Sequence, residues 1–277
     1  MTVRVLLADA AERLRAGGVA SPEYDAAELL AFVLGTTRGK LVLAAPTPAQ
    51  VEVYDALVAR RARREPLQHL LGTAAFRYRE LAVGPGVFVP RPETEVMVGW
   101  ILDRLAGVEN PLVVDLCSGS GAIAGAVATE RPDSTVHAVE LSAEACVWAR
   151  RNLAGTGAIL HEGDIDGCLP ELDGHVDAVI ANPPYIPLTA WESVATEARD
   201  HDPALALWSG DDGLDAIKVV AATAGRLLKP GGWFGCEHAD VQGEAAPKVF
   251  AATGFFSEVR DQLDLAGKPR FVTGRHI

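Results

Sequence analysis

Cysteine is scarce and scattered in this sequence. Cys117, Cys146, Cys168 and Cys236 form no Cys-x-x-Cys pair, a spacing that supports neither a zinc cage nor a disulfide framework. Packed free thiols are expected, with no metal site. Cys117 stands apart because it lies inside a glycine-rich loop. Long apolar runs are missing too. None reaches the roughly 18 uninterrupted residues of a membrane span, so no membrane association is expected. The opening Met1-Thr2-Val3-Arg4 has no basic-then-apolar leader, which points to a cytoplasmic protein. No internal repeat or low-complexity segment stands out.

A basic surface is also lacking. The formal net charge is −12, and residues 1–75, with nine Lys/Arg and eight Asp/Glu, leave about −13 for the remainder. Such a region repels a phosphate backbone, so direct nucleic-acid binding is not expected. The one basic cluster, Arg60-Arg61-Ala62-Arg63-Arg64, ends a predicted helix, where it complements the helix dipole.

What is present is the composition of an ordinary globular protein: 277 residues, 49% hydrophobic and 22% charged, comfortable for a small unit and a larger one. Residues 1–74 read as helical. Leu6, Leu7, Ala10 and Leu14 recur at helical spacing before Gly17-Gly18. Ser21-Pro22 looks like an N-cap followed by proline at the first helical position. Thr47-Pro48-Ala49-Gln50 has a capping-box pattern, with Tyr54, Leu57 and Val58 on the inner face of its helix. Residues 75–90 predict a β-hairpin linker turning around Gly84-Pro85-Gly86. From residue 91 to 277 short apolar strands (112–116, 135–139, 176–181, 232–237) alternate with helical patterns near 93–106, 121–130, 143–154 and 214–228. That alternation predicts an α/β fold with a parallel sheet covered on both faces.

Two loops carry the chemistry. Strand 112–116 contains Asp115 and runs into Cys117-Ser118-Gly119-Ser120-Gly121, where glycines allow a tight turn and close approach to a ligand. Glu140 ends the next strand, 19 residues after Gly121, placed to accept both hydroxyls of a ribose. Ala124 could still complete a dinucleotide fingerprint, so the glycines alone leave NAD open. Asp115 together with Asp164, after a third strand-like segment, favours a nucleoside cofactor without a phosphate cradle. Asp164 suits an adenine amino group, with Ile165 packing on the ring. A loop aspartate capping the next turn is the competing reading. Asn182-Pro183-Pro184-Tyr185 follows strand 176–181, at the end of a strand where α/β sheets bind ligands. The prolines hold the loop rigid. The Asn182 side-chain oxygen and the Pro183 carbonyl can then accept both N–H bonds of a planar amide, a weak nucleophile that needs positioning. Tyr185 can pack on the planar group.

These two motifs resemble class I, Rossmann-like S-adenosylmethionine methyltransferases acting on nitrogen. More narrowly, the chain resembles the HemK/PrmC family, protein-(glutamine-N5) methyltransferases of peptide chain release factors. Arg64-Glu65-Pro66-Leu67-Gln68-His69-Leu70-Leu71-Gly72, Gly86-Val87-Phe88-Val89-Pro90-Arg91-Pro92-Glu93-Thr94-Glu95, Asp202-Pro203-Ala204-Leu205 and Gly213-Leu214-Asp215 match further stretches of it. The resemblance spans almost the whole chain. It implies a helical N-terminal domain (1–74) that docks the substrate, the linker (75–90), and a seven-stranded catalytic domain (91–277). The implied cofactor is S-adenosyl-L-methionine, leaving as S-adenosyl-L-homocysteine. The implied substrate is the glutamine of the Gly-Gly-Gln loop in class I release factors, with a monomeric enzyme expected. Cofactor contacts are expected from Asp115, Cys117, Ser118, Gly119, Ser120, Gly121, Glu140, Asp164, Ile165 and Asn182. Substrate contacts are expected from Asn182, Pro183, Pro184 and Tyr185, with Asn182, Pro183 and Tyr185 catalytic. Cys117-Ser118 replaces a common Gly-Thr pair and Trp208-Ser209-Gly210 a common Gly-Gly. The competing readings are methylation of a ribosomal-protein glutamine or of adenine N6, an NAD-dependent oxidoreductase, and a translation-factor binding protein without activity.

Overall fold

The apolar residues of the first 70 positions meet one another on three helices. In the computed structural model, which describes residues 2–277, these are α1 (Val3–Ala16), α2 (Pro22–Val33) and α3 (Pro48–Ala62), followed by a short α4 (Leu67–Leu71). Leu14, Leu29, Leu30, Tyr54 and Val58 are buried at their centre. The expected capping box at α3 forms: Thr47 Oγ1 accepts from Gln50 N, and Gln50 Oε1 accepts from Thr47 N. At α2, Pro22 takes the first helical position as expected, but the Ser21 side chain makes no cap bond. The chain folds as two compact units, and the helical unit, through Thr73, also takes in Ala195–His201.

The second unit comprises the remaining residues. Strands β1 (Thr73–Phe76) and β2 (Arg79–Ala82) form the hairpin, which turns at Arg77 and Tyr78 instead of at Gly84-Pro85-Gly86. Arg77 accepts a φ of 51° there, and its guanidinium pairs with Glu130 at 2.6 Å. Gly84 and Gly86 serve close packing: a Cβ would meet the Trp148 ring at 2.7 Å and the Glu144 carboxylate at 2.9 Å.

Beyond the hairpin the chain runs α5 (Thr94–Arg104), β3 (Leu112–Leu116), α6 (Ala122–Glu130), β4 (Thr135–Glu140), α7 (Ala143–Leu153), β5 (Ile159–Glu162) and β6 (Val176–Ala181). Then come α8 (Thr196–His201), α9 (Ala204–Leu207), α10 (Asp215–Leu227), β7 (Leu228–Glu237), α11 (Ala245–Ala252), β8 (Phe256–Leu263) and β9 (Pro269–His276). The seven-stranded sheet has the order β5-β4-β3-β6-β7-β9-β8. It is parallel from β5 to β7, and β9 pairs antiparallel with both β7 and β8. Every residue of β6 is buried, as a strand covered on both faces requires; its one charged residue, Asp177, is paired with Lys229 and accepts from the Leu112 amide. One core packs on each side of the sheet. The strand order reverses at β3, with β4 on one side and β6 on the other. A crevice therefore opens at the carboxyl ends of β3 and β6, the usual place for a ligand in such a sheet.

Candidate active site

The glycine loop leaves the end of β3 with Cys117, Gly119 and Gly121 in left-handed conformations (φ 61°, 56° and 78°). Glycine adopts these without a Cβ penalty; at Cys117 a side chain must bear it. Asp115, fully buried, holds the loop against the helix that follows. Its Oδ2 accepts from Ser118 Oγ at 2.7 Å and from the Ala124 amide at 3.0 Å. Its Oδ1 is buried with no hydrogen-bond partner among the described residues. Burial pushes the Asp115 carboxyl up to about 7, against the pull of the Ser118 and Ala124 bonds. From behind, Asn152 donates to Ser120 O at 2.9 Å and exchanges bonds with Ala82 N and O, tying the loop to the hairpin.

Glu140 closes β4 beside this loop. Its two oxygens accept from the Gly119 and Ser142 amides, each at 2.7 Å. A carboxylate oxygen carries two acceptor positions, so each keeps one for a ligand hydroxyl. Asp164 Oδ1 caps its own turn, accepting from Asp166 N at 3.0 Å. The capping role and the pocket role coexist, because Asp164 and Ile165 both line the cavity. Burial, with Glu140 and Asp115 nearby, raises the Cys117 thiol far above its ordinary range and keeps it neutral.

On the other side of the crevice, β6 delivers Asn182, with Pro183 buried behind it. Asn182 Nδ2 donates to Thr94 Oγ1 at 3.3 Å, and Thr94 donates to Glu237 Oε2 at 2.6 Å. The Tyr185 hydroxyl donates to Glu237 Oε1 at 3.0 Å. Burial, then Glu237, keep that hydroxyl protonated well above its usual range. Glu237 is itself raised by burial, with Thr94, Tyr185 and Arg270 pulling it back. The backbone of the loop is pinned as well, since Gln242 Nε2 donates to Tyr185 O at 3.0 Å and Asp212 O at 3.2 Å.

These loops share one cavity of about 290 Å³. Of the residues expected from sequence, Cys117, Ser118, Gly119, Ser120, Glu140, Asp164, Ile165, Asn182, Pro184 and Tyr185 line it. Asp115, Gly121 and Pro183 do not. Asp115 lies behind the loop, Gly121 is the N-cap of α6, and Pro183 is buried. Residues to which sequence alone assigns no role complete the wall, among them Phe88, Arg91, Thr94 and Leu205. Arg91 lies over the Phe88 ring (5.0 Å to its centroid) and pairs with Asp202 at 2.7 Å. Burial pushes Asp202 up to about 6 although Arg91 opposes it. Stretches 86–95 and 202–205 are legible as family-like segments, yet nothing in their residue types reveals which side chains face a ligand.

The donor set fits a nucleoside carrying an amino-acid tail. Asp115 lies outside the cavity's lining and acts on the site through the loop it braces, bonding Ser118 and the Ala124 amide. Glu140 has spare acceptor positions for a diol. The one basic side chain among the described lining residues, Arg91, is paired with Asp202.

The chain matches the PrmC N-terminal domain family over residues 6–72 and the methyltransferase small domain family over residues 85–199. It is 54% identical to a release factor glutamine methyltransferase of Streptomyces coelicolor, over 97% of this chain and 96% of that one. A protein of the same description from Mycolicibacterium smegmatis is 45% identical over 99% and 98%. A 4-amino-L-phenylalanine/4-methylamino-L-phenylalanine methyltransferase of Streptomyces pristinaespiralis is 44% identical, over 78% of this chain and 74% of its own.

Proposed function

The chain belongs to the family of release factor glutamine methyltransferases, and from that premise we propose that it methylates the N5 amide of the Gly-Gly-Gln glutamine in class I peptide chain release factors, using S-adenosyl-L-methionine. The observation that carries this reading is the pairing of two loops in one cavity. The glycine loop with Glu140 lies at the end of β3 and β4, and Asn182 to Tyr185 lie at the end of β6. When bound, the cofactor supplies an electrophilic methyl group on a sulfonium. Gly119, Glu140, Asp164 and Ile165 would hold its nucleoside, and Cys117 to Ser120 its amino-acid end, on a loop that Asp115 braces from behind.

The chain's own work is then positioning. An amide nitrogen is a poor nucleophile, because its lone pair is delocalised into the carbonyl. Asn182 Oδ1 and the Pro183 carbonyl would accept its two N–H bonds and fix the direction of the nitrogen. Those bonds strengthen as positive charge develops on it, and fixed geometry removes several kcal/mol of the barrier. Tyr185, its hydroxyl tied to Glu237, would fix the tilt of the amide plane.

The acidic catalytic unit supports a protein substrate over nucleic acid, since the residues after 75 carry about −13. The deciding experiment is mass spectrometry of purified release factor after incubation with this chain and S-adenosylmethionine. One added methyl on the Gly-Gly-Gln glutamine is the expected result. An unmodified factor, with cofactor binding intact, would overturn the substrate and leave another amide or amine nitrogen, such as the arylamine for which the Streptomyces pristinaespiralis relative is named.

A further inference from the structure

Glu237 lies outside both motifs. It ends β7, is 1% exposed, and does not line the cavity. A buried carboxylate is costly unless its oxygens are engaged. Both are: Thr94 donates to one at 2.6 Å and Tyr185 to the other at 3.0 Å. The proton count through Thr94 has a consequence. A threonine hydroxyl has one proton and can accept further bonds. With Glu237 ionised, the form that the Thr94 and Tyr185 bonds and Arg270 favour against its burial, the Thr94 proton is directed at the carboxylate and Oγ1 can only accept from Asn182, at 3.3 Å. The end of the Asn182 amide that faces Thr94 must therefore be the NH2 group. The end left for the cavity is the oxygen.

Resting on the methyl-transfer reading above, we propose that Glu237 is a positioning residue for this site: through Thr94 it fixes the orientation of the Asn182 amide, so that the oxygen and not the NH2 group meets the substrate nitrogen. With the amide turned over, a donor would face a donor, and the substrate amide would lose one of its two acceptors. The same carboxylate fixes Tyr185 through its other oxygen. Both ends of the Asn182–Tyr185 loop are thus set by one buried group, one of them through the first residue of α5. Glutamine at this position has a similar shape but a single acceptor oxygen, so either Thr94 or Tyr185 must turn.

The test compares Glu237→Gln, Thr94→Val and Thr94→Ser with the wild-type chain. Four quantities are read: kcat and KM on purified release factor, Kd for S-adenosylhomocysteine by calorimetry, and the thermal midpoint. The expected result is a kcat at least tenfold lower for Glu237→Gln and Thr94→Val. KM and Kd should stay within about threefold, as orientation and not binding is lost. Thr94→Ser keeps the hydroxyl and should restore kcat to within about threefold of wild type. Wild-type kcat in Glu237→Gln and Thr94→Val would overturn the inference alone. So would equal losses in Thr94→Ser and Thr94→Val, or losses in KM and Kd that match the loss in kcat. If Glu237→Gln fails to fold, the Thr94 pair decides by itself. Absence of transfer by the wild-type chain would overturn the function and this inference together.

Discussion

Asn182 and Glu140 face the same cavity from opposite loops, and their loss should register in different measurements. Asn182→Ala removes an acceptor that matters most as charge develops, so kcat should fall on the order of a hundredfold. Its affinity for S-adenosylhomocysteine, measured by calorimetry, should change much less; near-normal turnover would remove the positioning mechanism. Glu140→Ala removes charge-assisted bonds to the Gly119 and Ser142 amides along with any ribose contact. Bonds of that kind contribute roughly 1.5–3 kcal/mol, so affinity should fall about ten- to a hundredfold, and unchanged affinity would exclude the role. Asp115 makes a third prediction. Its carboxyl titrates at about 7 in the folded chain against 3.8 ordinarily, so the folded state holds the proton more tightly than the unfolded one. Its contribution to stability is therefore full below about pH 4, declines as pH rises towards 7, and is level above, a loss on the order of 4 kcal/mol. Urea unfolding without cofactor at pH 5 and pH 8 should show this slope, and Asp115→Asn should flatten it. A slope unaltered in that variant would assign the titration to another group. The residues so far were legible in sequence because each motif is local. Thr94 and Glu237 were not: they lie 143 positions apart, and Thr94 lies 88 from Asn182, so only the folded sheet brings them together.

Elements hold the Asn182 loop from outside, and Gly213 is the tightest of these supports. Its φ is 75°, and a Cβ there would stand 2.3 Å from Tyr185 O and 2.6 Å from Gln242 Nε2. Gly213→Ala therefore combines a left-handed backbone with a backbone clash, a cost of about 1–3 kcal/mol. It should displace Tyr185 and lower both kcat and the thermal midpoint. Wild-type values for both would mean that the loop yields without consequence. Gly213 was visible in sequence only as part of a family-like stretch, because the atom it must avoid belongs to residue 185. The same limit explains the elements. Strands β3, β4 and β6 were legible as short, largely apolar segments, since most of each is covered. Strand β8, with only Phe256 buried, and its neighbour β9 carry no such run and escaped the periodicity. The hairpin was expected to turn at Gly84-Pro85-Gly86. The turn lies at Arg77 instead, where a long-range ion pair with Glu130 supports a conformation that residue type alone disfavours.

At the scale of the whole molecule, the helical unit is not a continuous stretch of sequence. Ala195–His201, more than 120 positions after Thr73, belongs with it. Within that unit Glu197 accepts from Arg61 Nη2 at 2.8 Å and from Arg64 Nε at 2.7 Å. Arg61 is itself buried and also pairs with Asp25 at 2.7 Å. The basic cluster that in sequence complements a helix dipole is thus partly an internal counter-charge for a segment that returns late in the chain, and no local pattern announces such a partner. Desolvation works against the Glu197 charge, but the bonds from Arg64 and Arg61 outweigh it and lower the carboxyl to about 2, from 4.5. Its stabilisation is therefore present above about pH 4.5 and lost as pH falls through about 2. Solvent reaches the site in part, so the contribution is set at about 2 kcal/mol, below the full value of the shift. Glu197→Ala should weaken the unit by that amount at pH 7, read as faster hydrogen exchange in α3. The gap between variant and wild type should close as the pH is lowered towards 2. A fragment ending at residue 73 lacks the same carboxylate and should exchange like the variant. Exchange in Glu197→Ala as slow as in the wild-type chain at pH 7 would show that Asp25 alone suffices for Arg61, and that the returning segment is dispensable to the helices.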